Sequence, residues 1–136
     1  MKKTFKQLIA GTAFFAFSSL SMAANPVSVH VLNLQNGLPS PGMEVTLEKQ
    51  DKQNWNKLNT GKTDDNGRIT GLYPDGKALE PGTYRVTFAT GSWFTQHKMP
   101  VFYPEIPVIF QADGTVPHYH IPLLISPYGF STYRGN

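Results

Sequence analysis

The 136-residue sequence contains no cysteine. That excludes a thiol nucleophile, a zinc–thiolate site and the disulfide staples on which many small exported domains depend. No internal repeat, linker or low-complexity segment interrupts it. The uncharged apolar stretch Leu8–Leu20 is too short to cross a bilayer as a helix, which takes roughly 20 residues. Beyond that stretch no long segment carries the 3.6-residue apolar period of an amphipathic helix, so an all-α fold is excluded. A real excess of positive charge is missing too. The formal net charge is +3, but Lys2, Lys3 and Lys6 lie in the first 23 residues, which hold no acid. Twelve basic residues minus these three leaves nine, against nine acidic ones. A near-neutral domain gives no electrostatic reason to expect nucleic acid as a partner.

The opening segment has its own logic. A basic start, Met1–Lys6, leads into Leu8–Leu20 and then Ser21-Met22-Ala23, with small residues where a signal peptidase reads. This order is that of a secretory signal peptide; a retained anchor is the less favoured reading. Residues 1–23 are expected to be removed after Ala23. That leaves one domain, 24–136, in an extracytoplasmic compartment such as a periplasm, with no membrane attachment after cleavage. A cysteine-free domain of this size builds one modest core, and oligomerisation is a common source of additional support.

Within 24–136 the recurrent signal is two-residue alternation. Val27, Val29 and Val31 alternate with Ser28, His30 and Leu32; Met43, Val45 and Leu47 with Glu44, Thr46 and Glu48. Tyr84, Val86 and Phe88 form a third run, and Tyr119, Ile121 and Leu123 a fourth. Turn signals separate them: Asn36-Gly37, Pro41-Gly42, Asp65-Asn66-Gly67, Pro81-Gly82 and Asp113-Gly114. Short strands at such spacing predict an all-β antiparallel sandwich or barrel, with Gly91–Lys98 the one place for a short helix. Phe130–Tyr133 reads as a last strand. Three aromatics among hydroxyls in the final eleven residues are unusual for a tail, and suggest one held in the sheet or in an interface.

Strand parity places the histidines. His30 faces away from the three valines, and His118 and His120 share the face opposite Tyr119, Ile121 and Leu123. Three readings fit this pattern. Solvated surface histidines are the commonest case. A His-x-His pair with a third His can hold zinc, although no carboxylate stands out as an orienting partner. Neutral imidazoles can also take a proton from water, given a cation such as Arg68 to stabilise negative charge.

Three segments resemble the 5-hydroxyisourate hydrolases, the enzyme branch of the transthyretin-like proteins. They are Ser28-Val29-His30-Val31-Leu32-Asn33, Lys62-Thr63-Asp64-Asp65-Asn66-Gly67-Arg68-Ile69, and His118–Leu124 continued through Ser126–Gly135. Phe102–Pro107 also fits, and the resemblance spans nearly all of Val27–Asn136. A Tyr-Arg-Gly-Ser ending separates these hydrolases from the hormone-carrying transthyretins. Here Tyr133-Arg134-Gly135 is followed by Asn136, and Phe130 stands where a Tyr is common. The resemblance implies an eight-stranded antiparallel transthyretin-like β-sandwich with one short helix. It also implies a homotetramer of two dimers facing a central channel, and a small purine-derived substrate hydrolysed without metal or cofactor. It puts catalytic roles on His30, Arg68 and His120, substrate contacts on Ser131, Tyr133 and Arg134, and no role on His118 or His97. Which histidine is the base stays open. A carrier using the same channel without chemistry, and a metal-dependent hydrolase, are the competing functions.

Overall fold

A computed structural model describes residues 24–136. The expected leader, 1–23, lies outside the described residues. The chain forms β1 (Val27–Asn33), β2 (Leu38–Pro39), β3 (Glu44–Asp51), β4 (Asn54–Lys62), β5 (Arg68–Ile69), β6 (Gly82–Phe88), α1 (Thr90–Gln96), β7 (Ile106–Ala112), β8 (Tyr119–Ser126) and β9 (Gly129–Thr132). One sheet runs β4-β3-β6-β7. The other runs β2-β1-β8-β9, and β5 also pairs with β1. The free edge of β1 is therefore shared end to end, by β2 at Leu32–Asn33 and by β5 at Val29–His30.

Alternation explains the layers. Val27, Val29 and Val31 of β1, Tyr119, Ile121, Leu123 and Ile125 of β8, Val45 and Leu47 of β3, and Tyr84, Val86 and Phe88 of β6 are all buried. They meet between the sheets as one core. Each fully buried aliphatic side chain there contributes roughly 1.5–3 kcal/mol. Helix α1 closes one end with Trp93 and Phe94. The Trp93 indole N–H donates to the Pro41 carbonyl at 2.7 Å.

The sandwich, its two sheets and its short helix are as expected, and two details differ. Seven of the described strands have four residues or more, and β2 and β5 have two each, where eight strands were expected. Further, β1 and β8 pair in parallel along seven residues, Val27↔Tyr119 to Asn33↔Ile125. An antiparallel pair can be joined by a tight turn, whereas a parallel pair needs a long crossover. Here all of β2–β7 lies between the two strands, so the chain can re-enter the sheet in the same direction.

Candidate active site

The β5 segment starts from a tight turn. The Asp64 Oδ1 accepts the backbone N–H groups of Asn66 and Arg68, both at 2.9 Å. The Gly67 N–H donates to the Asp64 carbonyl at 2.8 Å. Gly67 has left-handed geometry, at φ +70°, and a Cβ there would stand 2.5 Å from the Val31 carbonyl oxygen. Its own carbonyl accepts the Val31 N–H at 2.8 Å. The turn is thus fastened to β1, and Arg68 lies in register opposite His30. The Arg68 residue is exposed and His30 half-buried.

The parallel register of β1 and β8 supplies the rest. Ser28 stands opposite His120, and His30 opposite Pro122. His30 and His120 are therefore diagonal neighbours on the outer face, roughly 8 Å apart at Cα by strand spacing and rise. The Ser28 hydroxyl lies 2.8 Å from His118 Nε2 and 2.7 Å from His120 Nδ1. The two imidazoles are nearly parallel, at 18°, with centroids 6.4 Å apart. The His118 Nδ1–H donates to the Asn25 carbonyl at 2.7 Å. On the tail side the Gly135 N–H donates to the His120 carbonyl at 2.9 Å. A Cβ on Gly135 would come within 2.4 Å of the His120 ring at Cδ2, so only glycine leaves room for this imidazole.

Burial and charge act together on the two rings. Loss of solvent, and then the Arg68 guanidinium, hold His30 below its usual 6.5; the Asn66 backbone and the Asp64 carboxylate oppose this in part. His120 is lowered by burial first, then by Arg68, His118 and His30, against a raising effect from the Ser28 backbone. Both imidazoles are consequently neutral at pH 7, which a proton acceptor requires.

The structure thus brings His30, Arg68 and His120 to one sheet face. The tail residues are distributed differently. Ser131 stands opposite Leu124 on the same face, four residues along β8 from His120, or roughly 13 Å. Tyr133 and Arg134 follow β9 and line, with His120, Thr132 and Phe110, a cleft of about 370 Å³ beside the edge strand β7. His30, Arg68 and Ser131 do not line it. A larger hollow of about 700 Å³ lies among Pro74–Leu79 and Val116–Pro117 and contains no histidine. His97 is remote from the site: its Nδ1–H donates to the Trp93 carbonyl at 2.7 Å, and its ring stacks on the indole at 4.0 Å. Ser28, between two histidines, has no role that its sequence position alone assigns. Its parity, shared with His30, was the available signal.

Fold and face together define a small β-sandwich whose reactive groups lie on the outside of one sheet rather than in its core. The chain belongs to the HIUase/Transthyretin family, which matches residues 27–135. A Salmonella typhi protein named 5-hydroxyisourate hydrolase is 52% identical over 118 residues, covering 87% of this chain and 86% of that protein. Among solved structures, Klebsiella pneumoniae 5-hydroxyisourate hydrolase superposes with a TM-score of 0.71 at 32% identity, covering 81% of this chain and 98% of that one. Sparus aurata transthyretin gives 0.75 at 28% identity, covering 81% and 96%.

Proposed function

We infer that the protein hydrolyses the cyclic amide of 5-hydroxyisourate in urate degradation. The observation that carries this is the convergence of His30, Arg68 and His120 on one outer sheet face, in a chain 52% identical to a protein of that name. Water attacks the ring carbonyl carbon while an imidazole takes its proton. Arg68 stabilises the oxygen that becomes negative, or holds the substrate that bears it. The C–N bond then breaks, the leaving nitrogen receives the proton, and the ureidoimidazoline carboxylate departs. His30 and His120 share the positioning and deprotonation of water; Ser131, Tyr133 and Arg134 wall the site.

The distance of Ser131 from His120 supports assembly, because one subunit leaves the tail serine far from the imidazoles. The exposed aromatics Phe130 and Tyr133, at 42% and 60%, offer surface for burial between copies. The proposed unit is a homotetramer of two dimers with shared sites facing a channel. Light scattering of the purified protein should return a tetramer mass; a monomer would overturn this part. Export to the periplasm with removal of residues 1–23 completes the reading, and N-terminal sequencing of the periplasmic protein should begin at Ala24.

The central test follows the ultraviolet absorbance of freshly generated 5-hydroxyisourate. The protein should accelerate the decay well beyond the spontaneous rate, and the acceleration should survive a strong chelator. Equal decay with and without protein would remove the hydrolase reading and favour a carrier. Loss of activity to the chelator would favour metal-assisted chemistry.

A further inference from the structure

Resting on the hydrolase reading, we propose that Ser28 and His118 are positioning residues that hold His120 in the tautomer with its proton on Nδ1, leaving Nε2 as the open basic nitrogen. The argument is a count of protons along three hydrogen bonds. The Asn25 carbonyl oxygen can only accept, so His118 Nδ1, 2.7 Å away, carries a hydrogen. In a neutral imidazole the other nitrogen is then bare. His118 Nε2 therefore accepts, and the group 2.8 Å from it is the Ser28 hydroxyl, which donates. A serine hydroxyl has one proton. With that proton spent on His118, the 2.7 Å contact between Ser28 Oγ and His120 Nδ1 is a hydrogen bond only if His120 donates. The proton of neutral His120 thus resides on Nδ1, and Nε2 keeps its lone pair.

The arrangement works against the intrinsic preference of the ring, since histidine free in water favours the proton on Nε2. It also gives His118 a purpose. The ring of His118 is tied at both nitrogens, to Asn25 and to Ser28, and has none left for substrate. His120 is tied at one nitrogen only. The order along the outer face is therefore an anchored carbonyl, a relay imidazole, a relay hydroxyl and a working imidazole. Gly135 packs over Cδ2, the carbon next to Nε2, and fixes the plane of the ring without covering its nitrogen with a side chain.

The test reads the tautomer directly. Protein with ¹⁵N in its histidine rings, at a pH where the imidazoles are neutral, should show His120 with a protonated Nδ1 and a bare Nε2. Ser28→Ala should shift its signals toward the Nε2–H form, and His118→Phe should do the same. Ser28→Thr keeps the hydroxyl and should restore the native pattern. In the absorbance assay Ser28→Ala and His118→Phe should lower kcat roughly 10- to 100-fold, the range seen when a partner that orients a working imidazole is lost, with KM changed little. Ser28→Thr should recover most of it. Thermal melts identify any variant that loses its fold, and Ser28→Thr then carries the comparison. His120 found with its proton on Nε2 in the unaltered protein, or a tautomer indifferent to Ser28→Ala, would overturn the relay. The ring spectra do not depend on turnover. If the protein fails to hydrolyse 5-hydroxyisourate while the spectra behave as expected, the function is wrong and the relay stands.

Discussion

The outer faces of the two sheets handle charge in opposite ways. On the β4-β3-β6-β7 sheet, Arg85 donates from Nε to Glu48 at 2.7 Å and lies over the Trp55 ring at 4.3 Å. Its charge is neutralised and its surface covered. On the other sheet, Arg68 stands beside two imidazoles and forms no salt bridge among the described residues. One cation completes a surface; the other is left available for something absent from the chain. Polar groups with all partners in place stabilise a face, whereas a cation beside neutral bases can act on a ligand.

The largest expected effect separates the faces. His120→Ala or His30→Ala should slow hydrolysis of 5-hydroxyisourate by roughly 10²–10⁴. Arg85→Ala, across the sandwich, should leave the rate within about twofold, as expected of a residue that touches no reacting atom. Full activity in both histidine variants would end the contrast. Next in size is Arg68→Gln. Loss of one charge-stabilising donor should cost about 10²–10³ in kcat, read in the same absorbance assay. The variant should also move the acid limb of the pH profile. His30 and His120 are held below 6.5 by burial and then by Arg68, so in the unaltered protein kcat/KM falls only below that pH. Without the guanidinium, and with His118 and Asp64 still in place, the limb should shift to higher pH. The sign for stability follows. Protonation favours the unfolded chain, in which these rings keep the ordinary value, so stability is lost as pH falls below about 6.5.

Smaller effects sharpen the comparison. Gly135→Ala should reduce activity by displacing the His120 ring, with little change in melting temperature, because the tail around it is largely exposed. Gly67→Ala should cost about 1–3 kcal/mol in denaturant titration, since it strains a left-handed residue packed on Val31. The smallest is Glu48→Ala, at about 1 kcal/mol or less for a partly exposed pair. A larger loss would mean that the opposite face carries more than surface charge.

Legibility in the sequence followed burial. Strands β1, β3, β6 and β8 show their alternation because the inward face of each is sealed in the core, although Ser28 and Pro122 on the outward face are buried too. Strand β4 has no fully buried residue, and β7 is buried only at Ile106 and Ala112; neither showed in the pattern. The helix expected over Gly91–Lys98 occurs at Thr90–Gln96, where Trp93 and Phe94 are buried and Gly91 N–H donates to the Pro104 carbonyl at 2.8 Å. His30 and His120 were placed off the core face by parity alone, and Arg68 was marked by its turn. His118 and Ser28 had no visible task, because their task is a contact with each other.

What the sequence determined by itself is therefore the side of the sheet on which each group stands. A strand's period of two makes His30, His118 and His120 outward residues once the valines and Ile121 turn inward. What only the tertiary structure decided is which outward residues meet. The Ser28–His120 hydrogen bond spans 92 positions and exists because β1 and β8 pair in parallel with one particular register. No local pattern encodes that register; it follows from burying both strands against a common core, and a slip of one residue would turn every histidine inward.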